Sequence, residues 1–395
     1  MTCRESLHRA DTLRRMQRML FVFILSLMLA SSGVSQTTED PQAPEDPPPT
    51  VDELEGKIDS LTEAFNESRN LVEALGRLKI SGYLQAQYLH NERSVDETTG
   101  VAATRNLDQF SIRRGRVKFA YQMTRTSRFV LQPDMTSSGV TLKDGYVELT
   151  EPWTMWHHTL TAGQFNWPFG FEIMYSSSSR EMPERSLVVR TLFPGERDRG
   201  VMLSGTGLAE RFHYRAAIVN GTGTTQSFDY NKRKDFVGRT GYSFGPVDVA
   251  VSLYRGSELI SLGGLTAGRN FDKQREGVDI QWITPVPGLG VRGEYIRGVQ
   301  PPSPGAPAAS ARAADVAGWY AYAIQNVGTR HQFVIRADEY DPDSDLPNNA
   351  TRTLGGSYIF HWDGNSKVML AYEKPEVEIN DPDDDVWSLR YQFSF

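Results

Sequence analysis

The stretch Val386-Trp387-Ser388-Leu389-Arg390-Tyr391-Gln392-Phe393-Ser394-Phe395 constrains this chain more tightly than any other. Trp387, Leu389, Tyr391, Phe393 and Phe395 share one parity, and Ser388, Arg390, Gln392 and Ser394 share the other. Successive side chains of a strand point to opposite faces, so this strand has one greasy face and one wet face. So bulky and aromatic a row suits a wall with lipid on one side and a watery lumen on the other. A soluble β protein that packs the same aromatics inward is the alternative reading of this segment. The expected fold class is all-β, a sixteen-stranded antiparallel transmembrane β-barrel.

The other end of the chain points to export. Arg4, Arg9, Arg14, Arg15 and Arg18 form a positive region ahead of the apolar run Leu20 to Ala30. That run is too short to span a bilayer and has the length of a signal-peptide core, with cleavage expected after Gly33-Val34-Ser35. Residues 1–35 are therefore expected to be a signal peptide, a retained signal anchor being the alternative. Cys3, the single cysteine, lies upstream of the apolar run, so the mature chain has no thiol chemistry. Removing this segment takes five Arg and two acids from 42 basic and 49 acidic residues, leaving a net charge of about −10. An acidic balance argues against nucleic acid as a partner. It does not decide what crosses a pore, because charge at a constriction sets that.

Residues 36–50, with Pro41, Pro44, Pro47, Pro48 and Pro49 among acids, form an extended spacer. Val51, Leu54, Ile58, Leu61, Phe65, Val72 and Leu75 then recur in steps of three and four, broken only at Ser68, until Gly76 stops the pattern. This predicts a short coiled-coil helix over 51–78, a trimeric stalk in the periplasm. A single amphipathic helix lying on or in a barrel mouth is the alternative.

From residue 79 to 395 the chain alternates strands and turn clusters. Strands are expected to begin near Ile80, Phe110, Arg128, Leu142, Thr159, Val201, Phe212, Phe236, Val247, Val278, Leu289, Val316, His331, Arg352, Lys367 and Val386. The even number suits a single-chain barrel. Short connections at 125–127, 244–246, 285–288 and 363–365 alternate with long ones at 221–234, 256–274, 300–314 and 341–349, as short inner turns and long outer loops require. Tyr83, Tyr88, Trp153, Trp156, Trp282, Trp362 and Trp387 are expected in interfacial girdles. Phe110 and Ile112 share a parity opposite to Val117 and Phe119, a register conflict that a bulge within Arg113–Arg116 would resolve.

The long segment between the fifth and sixth strands carries the densest motif. It reads Gly163-Gln164-Phe165-Asn166-Trp167-Pro168-Phe169-Gly170-Phe171-Glu172, a serine turn Ser176–Ser179, the pair Glu184-Arg185, and Pro194-Gly195-Glu196-Arg197-Asp198-Arg199-Gly200. In this it resembles the phosphate-selective porin O and P family. Gly163, Pro168, Phe169, Gly170, Glu172, Glu184, Arg185, Arg197, Asp198 and Gly200 match the family pattern. Arg113-Arg114 and Leu142 to Leu149 are also similar to it. The resemblance implies a passive outer-membrane diffusion channel for small hydrophilic solutes, selective for anions such as phosphate. It implies a homotrimer in which the segment is the third outer loop, folded inward. The terminal Phe395 is the form in which such barrels address the assembly machinery.

Fixed guanidinium and hydroxyl donors can replace part of an anion's hydration shell. The candidate residues on the segment are Arg180, Arg185, Arg190, Arg197 and Arg199. On the wall they are Arg116, Lys118, Arg215, Arg239, Arg292, Arg336 and Arg390, all on the expected lumenal parity. Glu172, Glu181, Glu184, Glu196 and Asp198 are interspersed with them, so bracing by ion pairs is the competing reading, above all for Glu184-Arg185 and Arg197-Asp198. No enzyme is expected. His157-His158 point to opposite strand faces and make poor joint metal ligands, and Ser176–Ser179 lacks a nucleophile-elbow frame. No cofactor is implied. An unselective general porin and a plugged barrel anchoring the outer membrane are the alternative functions.

Overall fold

A computed structural model describes residues 50–91, 108–224, 228–265, 267–378 and 385–395. The expected signal peptide and all of the spacer but Thr50 lie outside the described residues. The chain divides into two compact units, residues 1–69 and 70–395.

Helix α1 spans Val51–Gly76 and stops at the glycine that the heptad pattern marked. Its start is a reciprocal cap. The Thr50 amide donates to Glu53 Oε2 at 2.9 Å, and the Glu53 amide to Thr50 Oγ1 at 3.3 Å, satisfying two amides that a helix start leaves open. Val51, Leu54, Ile58, Leu61, Phe65, Val72 and Leu75 are all exposed, an apolar seam interrupted at Ser68.

Sixteen antiparallel strands close into one barrel. They are β1 Leu78–Asn91, β2 Gln109–Gln122, β3 Ser127–Thr136, β4 Gly139–Thr150, β5 Thr159–Asn166 and β6 Arg197–Gly207. Then come β7 Phe212–Val219, β8 Asp235–Phe244, β9 Val247–Ile260, β10 Arg269–Ile283 and β11 Leu289–Gln300. The last are β12 Ala314–Val327, β13 His331–Asp341, β14 Thr351–His361, β15 Ser366–Val377 and β16 Val386–Ser394. Closure is between β1 and β16, where Gly82 and Phe395 exchange backbone hydrogen bonds of 2.9 and 3.0 Å. A side chain at Gly82 would sit 2.7 Å from the Phe395 ring and 2.4 Å from the Arg116 carbonyl, so the position needs a glycine.

The parity read from the C-terminal strand holds. Trp387, Leu389, Tyr391 and Phe393 are 42 to 47% exposed, whereas Ser388, Arg390 and Gln392 are at most 5% exposed. The expected bulge is present as well. Gln85 pairs with Arg114 and Ala86 with Ile112, leaving Arg113 as the extra residue of β2. A second bulge lies where Gln132 faces Asp144 and Pro133 faces Leu142, leaving Lys143 unpaired in the ladder.

Three expectations need correction. Strand β10 begins at Arg269, not near Val278, and β9 runs on to Ile260, so most of the loop expected over 256–274 is ladder. The run Arg269 to Glu276 is rich in charge on both faces, and without an apolar row the period of two is not visible in it. Strand β6 begins at Arg197, where Arg197 and Asp198 pair with Asn166 and Phe165. Tyr83 is no girdle residue. It is 6% exposed and its hydroxyl meets Ser177 Oγ at 2.6 Å, on the inner face. The alternation of long and short connections also has one exception, since β3 and β4 are joined by Ser137-Ser138 alone.

Candidate functional site

Between β5 and β6 the chain runs through residues 167–196, closed at its base by the Trp167 amide on the Glu196 carbonyl at 3.1 Å. Pro168 and Gly170 explain why the strand ends here. Proline donates no ladder bond, and Gly170 holds φ +59, a conformation costly for other residues. A short helix, α2 Leu187–Leu192, follows within the segment. Trp167, Phe169, Ile173, Met182, Val188, Val189, Leu192 and Phe193 pack with the buried wall residues Tyr254, Ile296, Tyr320, Tyr322 and Val334. This part of the inner wall is apolar, and the segment covers it.

Polar contacts fix the rest. The Gly170 amide donates to Ser252 Oγ at 2.9 Å, and Glu294 Oε2 accepts from the Phe171 amide at 3.2 Å and the Tyr320 hydroxyl at 2.7 Å. Glu172 accepts from Ser186 and from the Tyr322 hydroxyl at 2.8 Å. Ser357 Oγ and Lys367 Nζ bond to the Glu181 and Ser178 carbonyls at 2.5 and 2.7 Å. Gln85 donates to the Ser177 carbonyl and Gln392 to the Ser178 carbonyl, each at 3.0 Å.

Most of the candidate cations are tied into this bracing. Arg185 donates to the Glu172 and Ile173 carbonyls at 2.7 and 3.0 Å and pairs with Glu196. Arg197 pairs with Asp144 at 2.7 Å and Glu196 at 3.2 Å. Glu184-Arg185 and Arg197-Asp198 therefore brace the segment, but each member uses partners other than its neighbour. Asp198 accepts from the Arg199 and Gly221 amides, both at 2.7 Å, and Arg199 Nε reaches Gln164 at 3.3 Å. Arg116 joins Asp134 and Ser177 Oγ, each at 2.9 Å. Arg239 pairs with Asp279 at 2.6 Å. Arg292 pairs with Glu181 at 2.5 Å and lies over the Tyr175 and Phe171 rings at 4.7 and 5.1 Å. Arg336 is fully buried between Asp338, at 2.8 Å, and Glu373. Arg390 donates to Gln87 at 2.6 Å, to the Pro183 carbonyl at 2.6 Å and to Glu184 at 3.1 Å.

Lys118, Arg190 and Arg215 differ from these. Among the described residues neither Lys118 nor Arg190 makes a side-chain hydrogen bond or ion pair, and Arg215 meets only Met174 Sδ, at 2.9 Å. Arg180 is 3% exposed, none of its three guanidinium nitrogens has a hydrogen-bond partner, and its nearest carboxylate oxygen is on Glu184 at 4.0 Å.

Two cavities flank the segment. One of about 560 Å³ is lined by Arg116, Lys118, Tyr146, Ser177 and Arg215 and reaches Phe395. The other, of about 320 Å³, is lined by Arg113, Glu184, Arg190, Glu373 and Arg390 and reaches Asn91 and Val386, at the opposite end of the β1–β16 seam. Three cations absent from the candidate set lie nearby: Arg113, which lines the second cavity, and Arg114 and Lys143, which line neither. The bulges place them, because an extra residue lets two neighbours share a face. Arg113 and Arg114 thus both reach Glu184, at 2.8 Å. The parity conflict at 110–119 signalled the first bulge, and nothing as clear signalled the second.

An apolar outer row around a charged, arginine-rich interior in a closed barrel is the architecture of an outer-membrane diffusion channel, a porin. Residues 88–250 match the family model described as phosphate-selective porin O and P. That stretch, less than half of the chain, is similar to the family, in agreement with the resemblance its motifs carry, and the match together with the barrel implies an outer-membrane location. Among solved structures it is similar to an anion-selective porin from Comamonas acidovorans, at 10% identity and a TM-score of 0.58, covering 80% of this chain and 99% of that one. OmpT of Vibrio cholerae in a trimer form is similar at 8% identity and a TM-score of 0.57, over 80% of this chain and 99% of that one. OmpF of Salmonella typhi, in complex with daunomycin, is similar at 10% identity and a TM-score of 0.57, over 80% and 97%. At these identities the likeness is one of fold. No curated protein matches the chain.

Proposed function

We propose that this porin is anion-selective, passing phosphate or similar small anions by passive diffusion, with segment 167–196 as the inward third loop that narrows the pore. One observation carries the reading. Every carboxylate lining the two cavities is paired: Asp144 with Arg197, Glu148 with Arg128, Glu184 with three arginines, Glu373 with Arg336. Among the described residues, Lys118, Arg190 and Arg215 line the same cavities without a carboxylate partner. A paired carboxylate contributes little field at a distance, so the unpaired cations set the sign of the lining. The serines at 176–178 add hydroxyl donors, and no step of this transport involves catalysis.

The functional unit is a homotrimer with α1 as a periplasmic three-stranded coil, a reading supported by its exposed apolar seam and by the trimer form of the similar OmpT. Phe395 serves as the signal to the assembly machinery. The test is the reversal potential of refolded protein in planar bilayers under a KCl gradient, with phosphate titrated in. Anion-selective current that phosphate blocks supports the reading, and cation-selective current refutes it. A complete lack of current would favour the plugged-anchor alternative.

A further inference from the structure

The outer face of the barrel carries a fixed arginine pair just where its apolar row ends. Val278, Tyr295 and Trp319 are paired in one row across β10, β11 and β12, facing outward and 37 to 44% exposed. Aromatic residues at the end of an apolar outer face mark the level of the lipid headgroups. Two residues nearer the long connections, on the same face, Glu276, Arg297 and Ala317 are paired across the same three strands. Arg255 of β9 joins them, facing Gln274. Glu276 takes both cations. Arg255 Nη2 reaches its Oε1 at 2.5 Å, and Arg297 donates to its Oε2 from Nε at 3.1 Å and Nη2 at 2.9 Å. Arg255 is further held by the Tyr254 and Arg275 carbonyls, at 3.0 and 3.2 Å. Arg255, Gln274, Glu276, Tyr295, Arg297 and Ala317 line a cavity of about 370 Å³.

The charge balance sets this place apart from the rest of the outer rim. Arg352 lies between two carboxylates, Glu339 at 2.5 Å and Glu378 at 3.1 Å, and Lys374 lies beside Glu376 at 3.3 Å. Here two guanidiniums share one carboxylate. Over the whole lining, Arg255, Arg275 and Arg297 stand against Glu276 and Asp315, which leaves one positive charge in excess. A charged side chain on the outer face is costly at mid-bilayer and tolerated at headgroup level, where an anion can meet it. A guanidinium presents its N–H groups as a planar fork that matches a phosphate, and two forks already held in place lose little freedom on binding one.

We infer that this cavity docks the phosphate of an outer-leaflet lipid between Arg255 and Arg297, with the acyl chains running down past Tyr295 and Trp319. The occupant is a lipid because the cavity opens on the face that meets the bilayer, directly above a row suited to hydrocarbon. Glu276 keeps the two guanidiniums together when no lipid is bound. The inference rests on the outer-membrane location and not on the anion selectivity of the pore.

The test is native mass spectrometry of the refolded full chain, released from detergent micelles doped with dimyristoyl phosphatidic acid or, for comparison, dimyristoyl phosphatidylcholine. The wild type should retain phosphatidic acid in preference. Arg255→Gln and Arg297→Gln should each weaken that retention about tenfold, the equivalent of one charge-assisted hydrogen bond. Glu276→Gln should strengthen it severalfold. Arg352→Gln, which removes an outer-face cation flanked by two carboxylates, should leave it unchanged. Gel mobility before and after heating reports folding, and should the arginine variants fail to fold, Glu276→Gln decides. Equal retention of the two lipids by the wild type, or unchanged retention in the folded variants, overturns the inference. Displacement of the lipid by an equal amount of inorganic phosphate would show a site for the ion alone and overturn lipid docking. A variant that shifts the mass distribution between oligomers and leaves lipid retention intact would make this face a contact between copies of the chain, again overturning it.

Discussion

Replacing Gly170 by alanine should undock the segment from the wall while leaving the barrel closed. Gly170 lies at φ +59, where a Cβ costs about 1–2 kcal/mol. The added methyl would also stand 1.8 Å from Glu294 Oε1 and 2.6 Å from its carboxyl carbon. Glu294 cannot yield cheaply, because the Phe171 amide and the buried Tyr320 hydroxyl donate to its other oxygen. Leaving one such buried donor without its acceptor costs about 1–3 kcal/mol, so the docked state should weaken by roughly 2–5 kcal/mol in total. That shifts the docking equilibrium by about 1.5 to 3.5 orders of magnitude. The assays are limited proteolysis at the arginines of 180–190 in detergent-refolded protein, and open-channel noise in planar bilayers. Cleavage should accelerate and the current should become noisier. Gly364→Ala, in a turn where a Cβ meets nothing within 4 Å, serves as the control. Wild-type cleavage rates and quiet current in Gly170→Ala would refute the docking argument.

Other consequences can be checked in parallel. Lys118→Ala and Arg215→Ala each remove a cation without a carboxylate partner, and should lower the anion-to-cation permeability ratio severalfold in reversal-potential measurements. Arg239→Ala instead orphans the buried Asp279 and should destabilise the barrel by about 3–5 kcal/mol, read as a lower temperature of the heat-induced gel shift. Burial raises the pKa of Glu184, but the surrounding arginines hold it well below the ordinary carboxylate range, so its contribution to docking is complete above that range and lost as pH falls through its lower folded value. Protease resistance of the segment should therefore be flat from pH 7 to pH 5 and fall only in stronger acid. Gly82→Val should clash with the Phe395 ring and the Arg116 carbonyl, costing about 1–3 kcal/mol and lowering the gel-shift temperature.

The wall of this barrel was legible because lipid imposes a strict rule on alternate residues. Thirteen of the sixteen strands begin within two residues of where alternation and turn chemistry put them. Of the outlying starts, β6 and above all β10 lie where the apolar row lapses, as from Arg269 to Glu276, whereas β4 only begins three residues early, at Gly139. The interior was legible in kind and not in detail. Arg180, Arg197 and Arg292 look alike in sequence, yet among the described residues one lacks any hydrogen-bond acceptor, one is doubly paired and one lies over three aromatic rings. Partners such as Glu181 for Arg292 are brought together only by the path of the segment, which local pattern does not specify. Tyr83 was misplaced for a related reason. An aromatic on a barrel strand usually faces lipid, but here the segment supplies Ser177 as a partner on the inner side.

The apolar patch of Tyr254, Ile296, Tyr320 and Val334 under the segment gives this molecule two different solvents. The outer row is at home in hydrocarbon and gains nothing from water. The segment is held down partly because water avoids the greasy surfaces it covers. Agents that weaken the aversion of water for apolar surface should therefore loosen the segment from the wall at concentrations that the lipid-embedded strands survive. The bore of such a channel is thus a property of the aqueous phase that flows through it, and the wall alone belongs to the membrane.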